Sequence, residues 1–195
     1  LQDPPETIIR RHLWEVIGHF YPEAIISHRS ALELKPAPQG DFFLTHRNTR
    51  NVTLPGVRLR FLAGNLGEIG VRDFANGTRI SEQPRAYLEN LVRTRSTAQG
   101  DLKALGKDAV EDKLFQEARI HGEQRLDTIR DQAREIAPEL GLNKPLQELE
   151  ALIGALRGSR EVGILVSEQA RALAEGEPYD PSRLDLFQVL FEDLQ

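Results

Sequence analysis

Asp41-Phe42-Phe43-Leu44-Thr45, Asn51-Val52-Thr53-Leu54, Pro55-Gly56 and Val57-Arg58-Leu59-Arg60-Phe61 together decide the fold class. In the last of these, Val57, Leu59 and Phe61 alternate with Arg58 and Arg60, the period of two that marks a half-buried strand. Asp41–Thr45 reads as a short strand and Asn51–Leu54 as a weaker one, joined to the next through a tight Pro55-Gly56 turn. Ile69–Phe74 and Thr78–Ile80 flank the turn residues Asn76-Gly77 and add pairing partners. A small, mostly antiparallel sheet is therefore expected over residues 41–80.

Helices flank this stretch. Upstream, Asp3-Pro4-Pro5-Glu6 has the form of a helix start, with prolines in the first turn. Ile9, Leu13, Val16, Ile17 and Phe20 then recur at helical spacing until Tyr21-Pro22. A second helix is predicted over Ser27–Leu34, capped by Ser27 and broken by Pro36, Pro38 and Gly40. Downstream, Ser81 is the expected cap of a helix over 82–94, with Leu88, Leu91 and Val92 inward. A polar, Gly-punctuated linker follows at 96–106, and after it the pattern is helical throughout. Asp108–Ala118 opens on a capping-box-like Asp108-x-x-Glu111, and Gly122 interrupts. Leu126, Ile129, Ala133, Ile136 and Leu140 form the next stripe, disturbed by Pro138. Pro145 starts a helix whose inner face is Leu146, Leu149, Leu152, Ile153 and Leu156 and which ends at Gly158. A short helix at Ser167–Glu175 and a last one from Asp180-Pro181 complete the chain.

The expected class is α+β: a helix-flanked small antiparallel sheet at 1–95, the linker at 96–106 and an all-helical segment at 107–195. The last helix remains apolar to its end. Leu190, Phe191 and Leu194 are either docked on this chain or form a junction with a further domain.

Composition narrows the function. The chain has 195 residues, no cysteine and no methionine, and so reads as a trimmed piece of something longer. Without cysteine there are no disulfides, thiolate zinc sites or thiol nucleophiles, which fits a cytoplasmic setting. No apolar run approaches the ~18 residues of a membrane span, and Leu1-Gln2-Asp3-Pro4-Pro5 lacks the basic-then-apolar layout expected of a secretory signal. Net charge is −5 but uneven. Residues 1–95 carry 13 Lys and Arg, of which 12 are Arg, against 10 Asp and Glu; residues 96–195 are acidic.

Catalytic patterns are missing. Ser27, Ser81 and Ser167 sit at predicted helix starts, and none lies in a Gly-x-Ser-x-Gly elbow. The histidines His12, His19, His28, His46 and His121 lack metal-ligand spacing. Gly64-Asn65-Leu66-Gly67-Glu68-Ile69-Gly70 has neither the Lys-Ser/Thr of a Walker loop nor the opening of a dinucleotide fingerprint, and reads as a turn. No catalytic, cofactor-binding or metal residue is assigned. Arg47, Arg50, Arg58 and Arg60, on or beside the hairpin, are the candidate contacts to nucleic acid or a partner; a sheet face covered by a helix or by acidic residues is the ordinary alternative.

Two segments carry a resemblance. Tyr21–Leu32, with Ser27-His28-Arg29-Ser30-Ala31, resembles a helix of AbiEi-type antitoxin and transcriptional-regulator domains. Thr78–Leu91, with Ser81-Glu82-Gln83-Pro84-Arg85-Ala86, resembles the helix that follows the sheet in those domains, and Leu54-Pro55-Gly56-Val57 matches the turn into their middle strand. Over nearly its full length the chain resembles, diffusely, the region upstream of the catalytic core in long bacterial Fic-family proteins, through Leu140-Gly141-Leu142, Leu149–Gly158 and Pro178-Tyr179-Asp180-Pro181. Fic proteins transfer AMP from ATP through a His-x-Phe-x-x-Gly-Asn-Gly-Arg core, and neither that motif nor the family's inhibitory helix occurs here. The resemblance thus implies a non-catalytic regulatory or target-recognition module of a Fic-type protein adenylyltransferase. ATP and Mg would belong only to a downstream core in cis. The alternative is an AbiEi-like DNA-binding regulator. A protein target or DNA is the expected partner, and a membrane is not.

Overall fold

A computed structural model describes residues 3–92 and 103–174. Contacts divide the chain into two compact units, Leu1–Glu150 and Ala151–Gln195, and the division falls inside one helix.

The first unit is α+β. Its helices are α1 (Pro5–Arg11), α2 (Leu13–Phe20), α3 (His28–Glu33), α4 (Gln83–Asn90), α5 (Lys107–His121) and α6 (Gln124–Leu140); α7 (Asn143–Ala174) starts in it. Its strands are β1 (Ile25–Ile26), β2 (Asp41–His46), β3 (Arg50–Leu54), β4 (Val57–Ala63), β5 (Val71–Asp73) and β6 (Arg79–Ser81). They form a six-stranded sheet in the order β3-β4-β2-β1-β6-β5.

The sheet is mixed rather than antiparallel. β1 runs parallel to β6 and β2 parallel to β4, while β1–β2, β3–β4 and β5–β6 are antiparallel. The hairpin explains the departure. Gly56 takes the positive φ of 72° that the turn needs, and β4 folds back between β3 and β2. β4 carries the apolar alternation and occupies an interior position. β3, with Arg50, Asn51 and Thr53 exposed, takes the edge, where charged and polar side chains discourage further pairing. β1 has no period to read. It is a fully buried Ile25-Ile26 pair in the middle of the sheet.

One face of the sheet holds the main core: Ile26, Phe42, Leu44, Val57, Leu59, Phe61 and Ile80, packed with Leu13 and Ile17 of α2. The single tryptophan, Trp14, stands edge-on to Phe42 at 5.6 Å and to Phe74 at 5.4 Å between ring centres. The expected single first helix breaks at His12 (φ −106°, ψ 22°), which shifts the phase of the second half. Phe20, expected inward, is the last residue of α2 and is 65% exposed.

The helical region departs from expectation at three points. Gly106, not Asp108, caps α5. α6 runs on to Leu140 with Pro138 inside its last turn. Gly158 does not end a helix: α7 is continuous to Ala174 and absorbs the separate helix expected at 167–175. Gly122 does divide α5 from α6. Leu190, Phe191 and Leu194 lie outside the described residues.

Candidate functional site

The polar residues of the two resembling segments converge in the interior. Arg85 and Glu89, one turn apart on α4, form an ion pair at 2.8 Å with side chains only 3% and 8% exposed. Glu89 also accepts from the Ser81 hydroxyl at 3.0 Å and the His28 amide at 2.9 Å. The other end of the Arg85 guanidinium donates to the carbonyls of Ile69 and Asn65, each at 2.8 Å. Nearby, Thr45 donates its hydroxyl to Ser27 Oγ at 2.8 Å, and Ser30 Oγ accepts from the Phe43 amide at 2.9 Å. Asn90 donates to Ala86 O and accepts from the Leu105 amide, which fastens the start of the helical region to α4. Five segments distant in sequence are thereby tied through side chains, as buried polar groups require.

This arrangement corrects the reading of two serines. Ser81 lies in β6, and Glu82 is the residue that caps α4. Ser27 precedes α3, but its hydroxyl makes no cap bond there. His28 Nδ1 lies 3.0 Å from Ser27 Oγ. Ser27 itself is fully buried, and Glu89 accepts from the His28 backbone amide.

The glycine-punctuated 64–70 loop is the inverse of a phosphate cradle. A phosphate loop aims amides at an anion. Here two loop carbonyls point at the Arg85 cation, and the Gly67 amide is taken by Asn65 Oδ1 at 2.7 Å.

The four candidate arginines do not form one surface. By register, Arg58 and Arg60 share the sheet face opposite Leu59, whereas Arg50 pairs with Phe61 and lies on the core side. Arg50 stacks over Phe61 at 4.6 Å and Tyr21 at 5.0 Å. Arg58 donates to Asp41, whose side chain is fully buried; this hydrogen bond raises the Arg58 pKa further. Arg47 is 73% exposed and 3.8 Å from Glu23. Arg60 is half-buried with no ion pair among the described residues. Arg47→Ala should accordingly leave the melting temperature unchanged. Arg58→Ala should lower it, because Asp41 would keep a buried charge without a counter-ion; thermal melts of the two variants side by side check this.

Tyr87 anchors a second polar cluster, between α4, α5 and α6. Arg125 donates to Glu117 at 3.3 Å and to the Gln83 side chain. Burial, and then the Glu117 charge, push the Tyr87 phenol well above its ordinary pKa of 10.0. The folded pKa exceeds the unfolded one, so this contribution to stability is complete below about pH 10 and is lost as pH rises further. A urea midpoint measured against pH should fall above that point, and Tyr87→Phe should flatten the fall.

A cavity of about 420 Å³ opens beside these groups, lined in part by Arg72, Glu82, Gln83, Arg125 and Gln132. Its lining carries charges of both signs and includes Ser81, whose hydroxyl is engaged by Glu89. Among the described residues no group of His, Asp and Glu could hold a metal ion, and no helix is long and apolar enough to cross a membrane. Sequence reasoning missed the Arg85–Glu89 pair, although its i,i+4 spacing was the available signal. Set against family models, curated proteins and solved structures, the chain matches none of them.

Proposed function

We propose that this chain is a non-catalytic recognition or regulatory module of a Fic-type protein adenylyltransferase, with AMP transfer performed by a core outside these residues. The supporting observation is how the reactive side chains are used. Ser27, Ser81, Arg85 and Glu89 are all buried and bonded to other side chains or to the backbone, which supports a role in holding surfaces in place rather than acting on a substrate. The sequence resemblance supplies the Fic assignment. Incubating the 195-residue chain with labelled ATP and a bacterial lysate should give no labelled protein. The same chain continued into a Fic core should label a target, and deleting residues 1–92 should change which target is labelled. An unchanged target pattern after that deletion would remove the recognition role.

A second reading, an AbiEi-like DNA-binding regulator, draws on Arg60, which has no acidic partner among the described residues, and on the exposed Arg47. With two phosphate contacts, the logarithm of affinity for duplex DNA should fall with the logarithm of salt at a slope of about −2. A gel-shift titration over salt measures that slope, and no retardation at low salt would discard this reading.

A further inference from the structure

Asn76 and Gly77 form the turn before β6. Asn76 is exposed and left-handed (φ 55°, ψ 38°), and Gly77 follows at φ 73° with open space where a side chain would be. The Asn76 amide has no hydrogen-bond partner among the described residues. The turn is also packed tightly: a Cβ placed on Gly18 of α2 would stand 2.0 Å from the Asn76 carbonyl oxygen. On either side, Phe74 touches Trp14, and Thr78 bonds back to Ala75 through both its amide and its hydroxyl.

We propose that Asn76-Gly77 is a site of spontaneous backbone isomerisation whose product unseats α2. The Gly77 nitrogen attacks the Asn76 side-chain carbonyl carbon. A nitrogen–carbon bond forms, the bond from that carbon to Nδ2 breaks, and ammonia leaves with the proton from the Gly77 nitrogen. Water then opens the resulting five-membered imide. Opening on the side-chain carbonyl gives aspartate; opening on the main-chain carbonyl gives isoaspartate, in which the backbone runs through the former side chain. No electron is transferred, and water is the only co-reactant. The main chain gains one atom in the isoaspartate, so the carbonyl now packed on Gly18 cannot keep its place. Charge alone does not do this, because the turn faces solvent at Asn76.

The other five asparagines are less suited. Asn48, Asn51, Asn65, Asn90 and Asn143 precede Thr, Val, Leu, Leu and Lys, whose side chains shield the attacking nitrogen. The side chains of Asn65 and Asn90 are also held by hydrogen bonds.

The test is to age the purified chain in mildly alkaline buffer, map the loss of each asparagine amide by peptide mass spectrometry, and quantify isoaspartate by enzymatic methylation. Asn76 should lose its amide before every other asparagine. Trp14 emission and the urea midpoint should shift in proportion to isoaspartate content. Unaged Asn76→Asp, which has the charge without the rerouted backbone, should match the fresh protein. Asn76→Gly, which fits the left-handed turn and cannot cyclise, should keep its midpoint on ageing. The proposal is overturned if Asn76 keeps its amide as long as Asn48 or Asn51 does. It is equally overturned if Asn76→Asp reproduces the whole shift, or if aged Asn76→Gly loses stability as fast as the parent.

Discussion

Arg85→Met should lower the unfolding free energy by about 3–5 kcal/mol in urea denaturation, because it leaves Glu89 as a buried charge without its counter-ion. The loss is a large share of the ~5–15 kcal/mol typical of a folded domain. The methionine preserves most of the volume, so little of the effect is a cavity. Two further partners go with the guanidinium, the carbonyls of Asn65 and Ile69. Their loop should therefore exchange its amide hydrogens faster in the variant. The double variant Arg85→Met/Glu89→Leu removes both charges and should be less destabilised than Arg85→Met alone. It will not recover fully, since the Ser81 hydroxyl and the His28 amide lose their acceptor. Equal losses in single and double variants would mean that the pair is not coupled as its 2.8 Å separation implies.

The same Gly→Ala change should have opposite signs at two helical positions. At Gly18 the new Cβ meets the Asn76 carbonyl oxygen at 2.0 Å, a backbone atom that cannot swing aside, and α2 must move off the turn. Gly18→Ala is expected to cost about 1–3 kcal/mol, the usual penalty of overpacking. At Gly154 in α7 nothing among the described residues lies within 4 Å, and the helix gains by losing a flexible residue. Gly154→Ala should add about 0.5–1 kcal/mol. Paired thermal or urea melts decide it. A neutral Gly18→Ala would show that α2 does not seat on the Ala75–Gly77 turn.

The sheet was legible where one physical signal dominated. The alternation of Val57, Leu59 and Phe61 against Arg58 and Arg60 fixes β4 and its buried face, and Pro55-Gly56 fixes the hairpin. Strand order was not legible. Nothing local to Asp41–Thr45 tells whether its neighbour is β3 or β4, since that depends on which strand is apolar enough to sit inside. β1 was invisible because two consecutive isoleucines have no period, and the break at His12 because propensity there is weak. The partners of the candidate arginines were not legible for a related reason. Arg58 alternates out of the core and looks solvent-facing, yet it neutralises Asp41 from a neighbouring strand, a partner that only the fold supplies. Arg85 and Glu89 look like one more exposed helical ion pair until α4 is seen to be buried from Pro84 to Asn90. Charged residues are rarely inside, so their burial has to be read from packing, not from composition.

Ser27, Ser81, Arg85 and Glu89 serve the architecture on this account, and binding is left to the outer surfaces. Calorimetric titration of the purified 195-residue chain with Mg–ATP addresses that claim most directly. The account predicts no saturable heat at any protein concentration used. Saturable binding that disappears in Ser81→Ala, while that variant keeps the parent's melting temperature, would contradict it.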